Sequence, residues 1–415
     1  MSRKPITSST KSESKTTLVP KLRFPQFRGK EGWEQAVLAT ACEMQAGKFV
    51  PAANIAERNE YGMYRCYGGN GLRGYTHTYT HDGTYPLIGR QGALCGNAHL
   101  VQGRFHATEH AIVATPRSNI DVRWLYYSID LLNLNRFATG QAQPGLSVDA
   151  LNNVALAIPK QESEQHRIAS CLSSLDSLIS AQARKVDALK RYKKGLMQQL
   201  FPREGETQPR LRFPEFRGQG EWEEKTLGCI ASFSSGGTPA KDNPDYWDGT
   251  IPWVSASSMY DLIVEKADHY VTPQAIGNGT RIAKKGSILI LVRGSMLFKR
   301  VPICIAGIDV AFNQDVKAID VDASINKTFL LFQLSAFQSR FPINETGIGA
   351  GKIELDHLVG FRLYFPRPAE QQRIASFLSS LDEQITAETH KLEALKTHKK
   401  GLMQQLFPTP EEVGA

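Results

Sequence analysis

The 415-residue chain is 41% apolar and 22% charged, with a formal net charge of +8, a balance that suits two or three folded domains and a polyanionic partner. Its six cysteines lie far apart with no CxxC pair, which excludes zinc-site spacing and points to free thiols in a reducing, cytoplasmic setting. No apolar run approaches the roughly 18 residues of a membrane helix.

Residues 1–20 are rich in Ser, Thr and Lys and carry no apolar segment, so they read as a mobile tail rather than a signal or a core element. KLRFPQFRG follows at 21–29, then Trp33. Beyond it come short runs of Gly, aromatic and β-branched residues, such as HAIVATP at 110–116. Turn clusters separate them, among them GGNG (68–71) and HDGT (81–84). This is the pattern of a mixed sheet module. Arg73, Tyr75, Arg90 and Arg104 interleave charge with aromatic surface in its loops, a mixture that suits phosphates and base edges. TGQAQPGLSVDALNNVALAIP closes the module at 139–159, and Pro159 ends its last strand.

A long helix is expected next. Alternating steps of four and three residues pick out Ile168, Leu172, Leu175, Ile179, Val186, Leu189, Leu196 and Leu200, broken only at Gln182 and Lys193. That is a coiled-coil seam of period 3.5. About 35 residues at 1.5 Å each span on the order of 50 Å. Pro202 stops the helix after GLMQQLFP. The charged runs Arg184–Lys185, Lys190–Lys194 and Lys396–Lys400 read as solvated faces.

The pattern then repeats. RLRFPEFRG at 210–218 and Trp222 precede a second module with SILILVR at 287–293 and VPICIAG at 301–307. Its loops interleave Lys241, Tyr246, Trp247, Arg281, Lys284, Lys285 and Arg293. TGIGAGKIELDHLVGFRLYFP closes it at 346–366. A second seam follows at Ile374, Leu378, Leu381, Ile385, Leu392, Leu395, Leu402 and Leu406, broken at Glu388 and Lys399. It ends on a second GLMQQLFP at 401–408. The chain therefore reads A–B–A′–B′, with near-identical helices and divergent modules between them. One partner met twice and two different targets explain that contrast better than drift.

Several motifs tempt and fail. Gly69–Gly74 fits GxGxxG but lacks the flanking strand and helix of a dinucleotide site. His106, Glu109 and His110 fit HxxEH, yet the surrounding residues suggest a strand, on which the histidines cannot share one helical turn. Asn243–Tyr246 lacks the second proline of an amino-group methyltransferase signature, and no phosphate loop or nucleophile arrangement is present. A recognition subunit without catalysis is the expectation.

LRFPxFRG, RIASxLSSLD and KKGLMQQLFP, each present twice, together with SGGTPAKDNPDYWDGTIPWVS at 235–255, PLIGRQGALCGNAH and ATEHAIV, closely resemble the specificity subunit of type I restriction-modification systems. The resemblance covers nearly the whole chain beyond the tail. It implies an α/β (mixed α+β) chain with two target recognition domains, at 21–160 and 203–367. Two spacer helices, at 161–202 and 368–408, would pack as an antiparallel coiled coil with pseudo-twofold symmetry, and a short tail would fill 409–415. It implies recognition of a split, asymmetric sequence in double-stranded DNA and docking of two modification subunits, with restriction subunits as further members. S-adenosylmethionine, and ATP with magnesium, would belong to those partners; this chain would hold no cofactor or metal. Arg73, Tyr75, Arg90 and Gln143 are the expected DNA contacts of the first module, and Lys241, Trp253, Ser255, Arg293 and Lys352 those of the second. A single-chain methyltransferase, a scaffold without nucleic acid and a lone DNA-binding regulator are the competing readings.

Overall fold

A computed structural model of the protein describes residues 18–92, 94–140, 144–347 and 349–414. The chain divides into two compact units. Unit 1 takes in the chain up to Ala183 and again from His390; unit 2 runs Arg184–Thr389. The division does not follow chain order, because each long helix, Glu162–Leu200 and Pro368–Leu406, gives its two ends to different units. Both units are mixed α/β.

Among the described residues, unit 1 is built on a six-stranded sheet. Its neighbours run Cys42–Ala46, Ala111–Pro116, His81–Gly89, Ala98–Ala107, Tyr64–Gly68, Gly71–Thr76. Unit 2 begins with the same kernel, Ala231–Ser235 beside Val316–Val321 beside Ile288–Leu291, then adds Ile303–Ala306 and Ile263–Val264. The ILIL strand at Ile288–Leu291 is wholly buried, as its unbroken apolar run dictates. Unit 2 also holds a four-stranded and a three-stranded sheet. Helix Val122–Leu131 lies against the first sheet and Lys327–Ala336 against the second. Asp121 and Asn326 cap them, accepting from backbone N–H groups of the first turn. At the end of the leading strand in each unit the chain passes very close to its neighbour. A Cβ on Gly47 would lie 2.2 Å from Ala107 O, and one on Gly236 2.0 Å from Phe312 O, so only glycine fits.

Each module opens and closes on one antiparallel pair, Glu34 opposite Ile158 in unit 1 and Glu223 opposite Phe365 in unit 2. The repeated blocks surround that pair in one pattern. In unit 1, Arg23 forks onto Glu164 in the first turn of the helix, with Nε and Nη2 each donating over 2.7 Å. Both side chains are over nine-tenths buried. In unit 2, Arg212 does the same to Glu370, at 2.8 and 2.7 Å. Gln165 and Gln371 accept from the N–H of Asp121 and Asn326 and donate to the carbonyls of Pro159 and Pro366. One residue earlier, the Leu22 N–H donates to Gln405 O and the Leu211 N–H to Gln199 O, at the far end of the other helix.

The Leu-Phe-Pro end of the repeated octapeptide is core. Phe407 packs its ring 5.8 Å from Trp33 and 6.3 Å from Trp124 in unit 1. In unit 2, Phe201 lies 5.5 Å from Phe329 and 6.2 Å from Phe337. Each GLMQQLFP therefore completes the core of the unit whose module belongs to the other repeat. Every apolar seam position named above is buried or half-buried. At the polar breaks, Lys193 pairs with Asp382 at 2.6 Å in unit 2, and Lys399 with Asp176 at 2.7 Å in unit 1. Their ammonium groups also sit 4.9 Å from the Phe332 ring and 5.2 Å from that of Tyr127. These two lysines, expected on solvated faces, are only 15% and 17% exposed, because their stems pack against an aromatic ring while the charge is paired.

The chain ends differ from expectation where they are described. Leu18, assigned to the tail at 1–20, is buried, and its carbonyl accepts from the Trp33 N–H. One leucine ending a polar stretch carries no periodic signal that would mark it. The rest of that expected tail, residues 1–17, lies outside the described residues. Val413, assigned to the tail at 409–415, is buried, and its carbonyl accepts from Gln35 Nε2 at 2.7 Å.

Candidate nucleic-acid interface

In unit 2, Arg293 and Lys352 stand directly opposite each other on adjacent antiparallel strands, Arg293–Gly294 and Ala350–Lys352. Arg293 is exposed. Lys352 pairs with Glu354 at 2.7 Å. A third cation joins them. Burial, then the charges of Arg293 and Lys352, hold the Lys317 ammonium below its ordinary range. Lys317 also donates to Ser235 Oγ, across the pairing of Val316–Val321 with Ala231–Ser235. Sequence reasoning missed Lys317 because VKAID reads as an ordinary strand; only the register of that strand, which places the lysine opposite the buried Ile290, singles it out.

Ser235 leads into the glycine-rich loop of SGGTPAKDNPDYW. Thr238 Oγ1 donates to Gln314 Oε1 at 2.7 Å, and the Trp253 indole donates to Gly237 O at 3.0 Å. Trp253, expected at the DNA, is instead a core residue at 9% exposure. Its indole N–H is taken by the loop it supports, so that donor is not free for a base. Lys241 is exposed in the next turn, and Ser255 is half-buried with its hydroxyl 3.1 Å from that of Ser257. Among the described residues no hydrogen bond or ion pair joins Lys241 or Ser255 to the three cations.

In unit 1, Arg73 is exposed and Tyr75 half-buried on strand Gly71–Thr76, whose pairing with Tyr64–Gly68 shifts register at Arg73. Tyr75 exchanges backbone hydrogen bonds with Ala56. Arg90 follows strand His81–Gly89 and donates to Glu109 O at 3.4 Å. The Gly68–Gly71 turn brings this neighbourhood together: a Cβ on Gly68 would touch the Arg73 side chain, and one on Gly69 would meet Gln91 O and His110 O. Burial pushes the Cys66 thiol up there, with Arg73 opposing and Glu109 reinforcing the shift. Gln143 lies outside the described residues.

The HxxEH residues do not form a metal site. Strand Ala98–Ala107 holds His106 but ends before His110. His106 is buried between the Thr78 hydroxyl and Lys48 O, while His110 pairs with Glu109 at 3.1 Å. The strand expected through both histidines thus breaks into a turn. Among the described residues no group of three His, Cys, Asp or Glu is placed to hold a metal, and no helix is long and apolar enough to cross a membrane.

Comparison with known proteins agrees with this architecture. The chain is 42% identical to the type I restriction enzyme EcoprrI specificity subunit of Escherichia coli, over 36% of its own length and 37% of that protein. It is 24% identical to the type I restriction enzyme MjaVIII specificity subunit of Methanocaldococcus jannaschii, over 69% of this chain and 70% of that one. Its matches to the more similar curated relatives thus span well under half of their length. In fold it is similar to the S subunit of a type I restriction-modification system from M. genitalium, with a TM-score of 0.62 at 16% identity, over 94% of this chain and 99% of that one. The family described as type I restriction modification DNA specificity domain matches residues 30–191 and 219–397, once in each repeat, and the chain belongs to that family.

Proposed function

We propose that this chain is the DNA-recognition subunit of a type I restriction-modification complex and has no catalytic centre of its own. The observation that carries this reading is the duplicated frame: the same clasp, helix ends and ion pairs hold two modules whose sheets and loops differ. Each module reads one half of a bipartite, asymmetric target in double-stranded DNA. The helices pair antiparallel as a coiled coil that separates the half-sites. The ion pairs Lys193–Asp382, Lys185–Glu388 and Lys399–Asp176 support that direction, since rising numbers on one helix meet falling numbers on the other. The near-identical helices dock two copies of a methyltransferase subunit, which supplies S-adenosylmethionine chemistry. Restriction subunits using ATP and magnesium join the same cytoplasmic assembly.

The test is genome-wide adenine methylation in cells with and without the gene. Loss of one split motif on deletion is the expected result, and it gives both half-sites and their gap. An unchanged methylation pattern in cells that express the chain overturns the reading.

A further inference from the structure

The three cations of unit 2 are held together against their own repulsion. Arg293 and Lys352 are cross-strand neighbours, a placement that destabilises a sheet when the charges are alike. Lys317 adds a third charge from the adjoining sheet: the Val292 N–H, next to Arg293, donates to Asp315 O at 2.8 Å, two residues before Lys317, and the Ile353 N–H, next to Lys352, donates to Val292 O at 2.8 Å. Its ammonium is partly buried and anchored on the Ser235 hydroxyl. One carboxylate, Glu354, answers them, and it is paired with Lys352. Arg293 and Lys317 have no carboxylate partner among the described residues. Such a cluster calls for an anion. A base edge is neutral, and guanine presents two acceptors to a single Arg or Lys. A backbone phosphate carries a full negative charge and oxygens facing several directions, which three neighbouring cations and a hydroxyl can share.

We propose that Arg293, Lys317 and Lys352, with the Ser235 hydroxyl, clamp one phosphate of the DNA backbone, and that none of the three reads a base. This rests on the DNA-recognition reading above and assigns the cluster to positioning rather than to sequence. The clamp fixes where the Gly236–Pro239 loop meets the duplex, because Ser235 is the residue from which that loop departs.

The experiment uses the full chain co-purified with its methyltransferase partner and a duplex carrying its methylated motif. Affinity is measured over a salt series, beside the genomic methylation motif of cells carrying each variant. The slope of log affinity against log salt is expected to flatten by about 0.9 for each phosphate that is no longer neutralised. Lys317→Gln and Arg293→Gln should each flatten it, weaken target and mismatched duplexes equally, and leave the methylated motif unchanged. Lys317→Arg, which keeps the charge, should retain the parent slope and shows whether the position tolerates change. A changed base preference in the second half-site for any of these variants overturns the clamp, as does an unchanged slope in both glutamine variants. If the parent chain shows no salt-dependent affinity for DNA, the functional reading itself falls, and the clamp with it.

Discussion

Arg23 and Arg212 explain why LRFPxFRG is written twice. Each guanidinium fills the carboxylate of a buried glutamate and donates its remaining N–H groups to backbone carbonyls of the turn that follows. Removing one partner of such a pair leaves a buried charge unanswered, which costs about 3–5 kcal/mol. Arg23→Met is therefore expected to destabilise unit 1 by that amount in chemical denaturation of the full chain. Arg23→Lys should recover little of it, because an ammonium cannot fork across both oxygens. A loss below about 1 kcal/mol, the scale of a surface ion pair, would show that the clasp does not hold the helix start. The cysteines give a second expectation at this scale. Burial pushes the thiols of Cys42 and Cys304 up to about 12, so at pH 8 only roughly one in ten thousand is thiolate. Cys229 is exposed. Iodoacetamide followed by peptide mass spectrometry should label Cys229 first and leave Cys42 and Cys304 unmodified until the protein unfolds. Early labelling of either buried thiol would contradict this packing.

At the scale of elements, three ion pairs join the two long helices, Lys399–Asp176 in unit 1 and Lys193–Asp382 and Lys185–Glu388 in unit 2. Burial pushes the Asp382 carboxyl up, and Lys193 only partly offsets this. The pair is thus expected to add little net stability. Lys193→Leu alone should destabilise by about 1–3 kcal/mol, since it leaves Asp382 unanswered in a shielded place. Lys193→Leu combined with Asp382→Leu should lie within about 1 kcal/mol of the parent or be more stable. The pH dependence has a definite sign. A carboxyl raised in the folded state holds its proton longer than in the unfolded chain. Its contribution is thus fullest in acid and is lost as pH rises through the folded value. Unfolding titrations of the double variant should lack that slope. The seams were legible in the sequence because a period of 3.5 is local information. The clasp was not. Arg23 and Glu164 stand 141 residues apart, and only the duplication of both blocks hinted that they serve one purpose. The modules were legible as sheets with loops, but not which side chains meet. Lys317 comes near Arg293 and Lys352 from a strand of a different sheet, and Trp253 looks like a surface aromatic until its strand is placed in the sheet.

At the scale of the whole molecule, duplication predicts that the two positions in the chain are interchangeable. Each module begins and ends on one antiparallel pair, so its two ends are neighbours. The contacts that receive it, Arg to Glu, Leu to Gln and Gln to the module's helix cap, are the same in both units. Consider a chain in which residues 34–158 and 223–365 trade places. If the frame has the twofold equivalence that its repeats describe, this chain presents the same two readers to DNA, turned end for end. A split motif read in that orientation is the same duplex read from its other strand. Cells carrying the exchanged chain should therefore methylate the same motif with the same gap as the parent. Single-molecule sequencing of their DNA checks this directly. Half-sites retained with a new gap would show that the two helices are not equivalent spacers. Loss of one half-site, with the protein still folded, would show that a module depends on contacts outside its own frame.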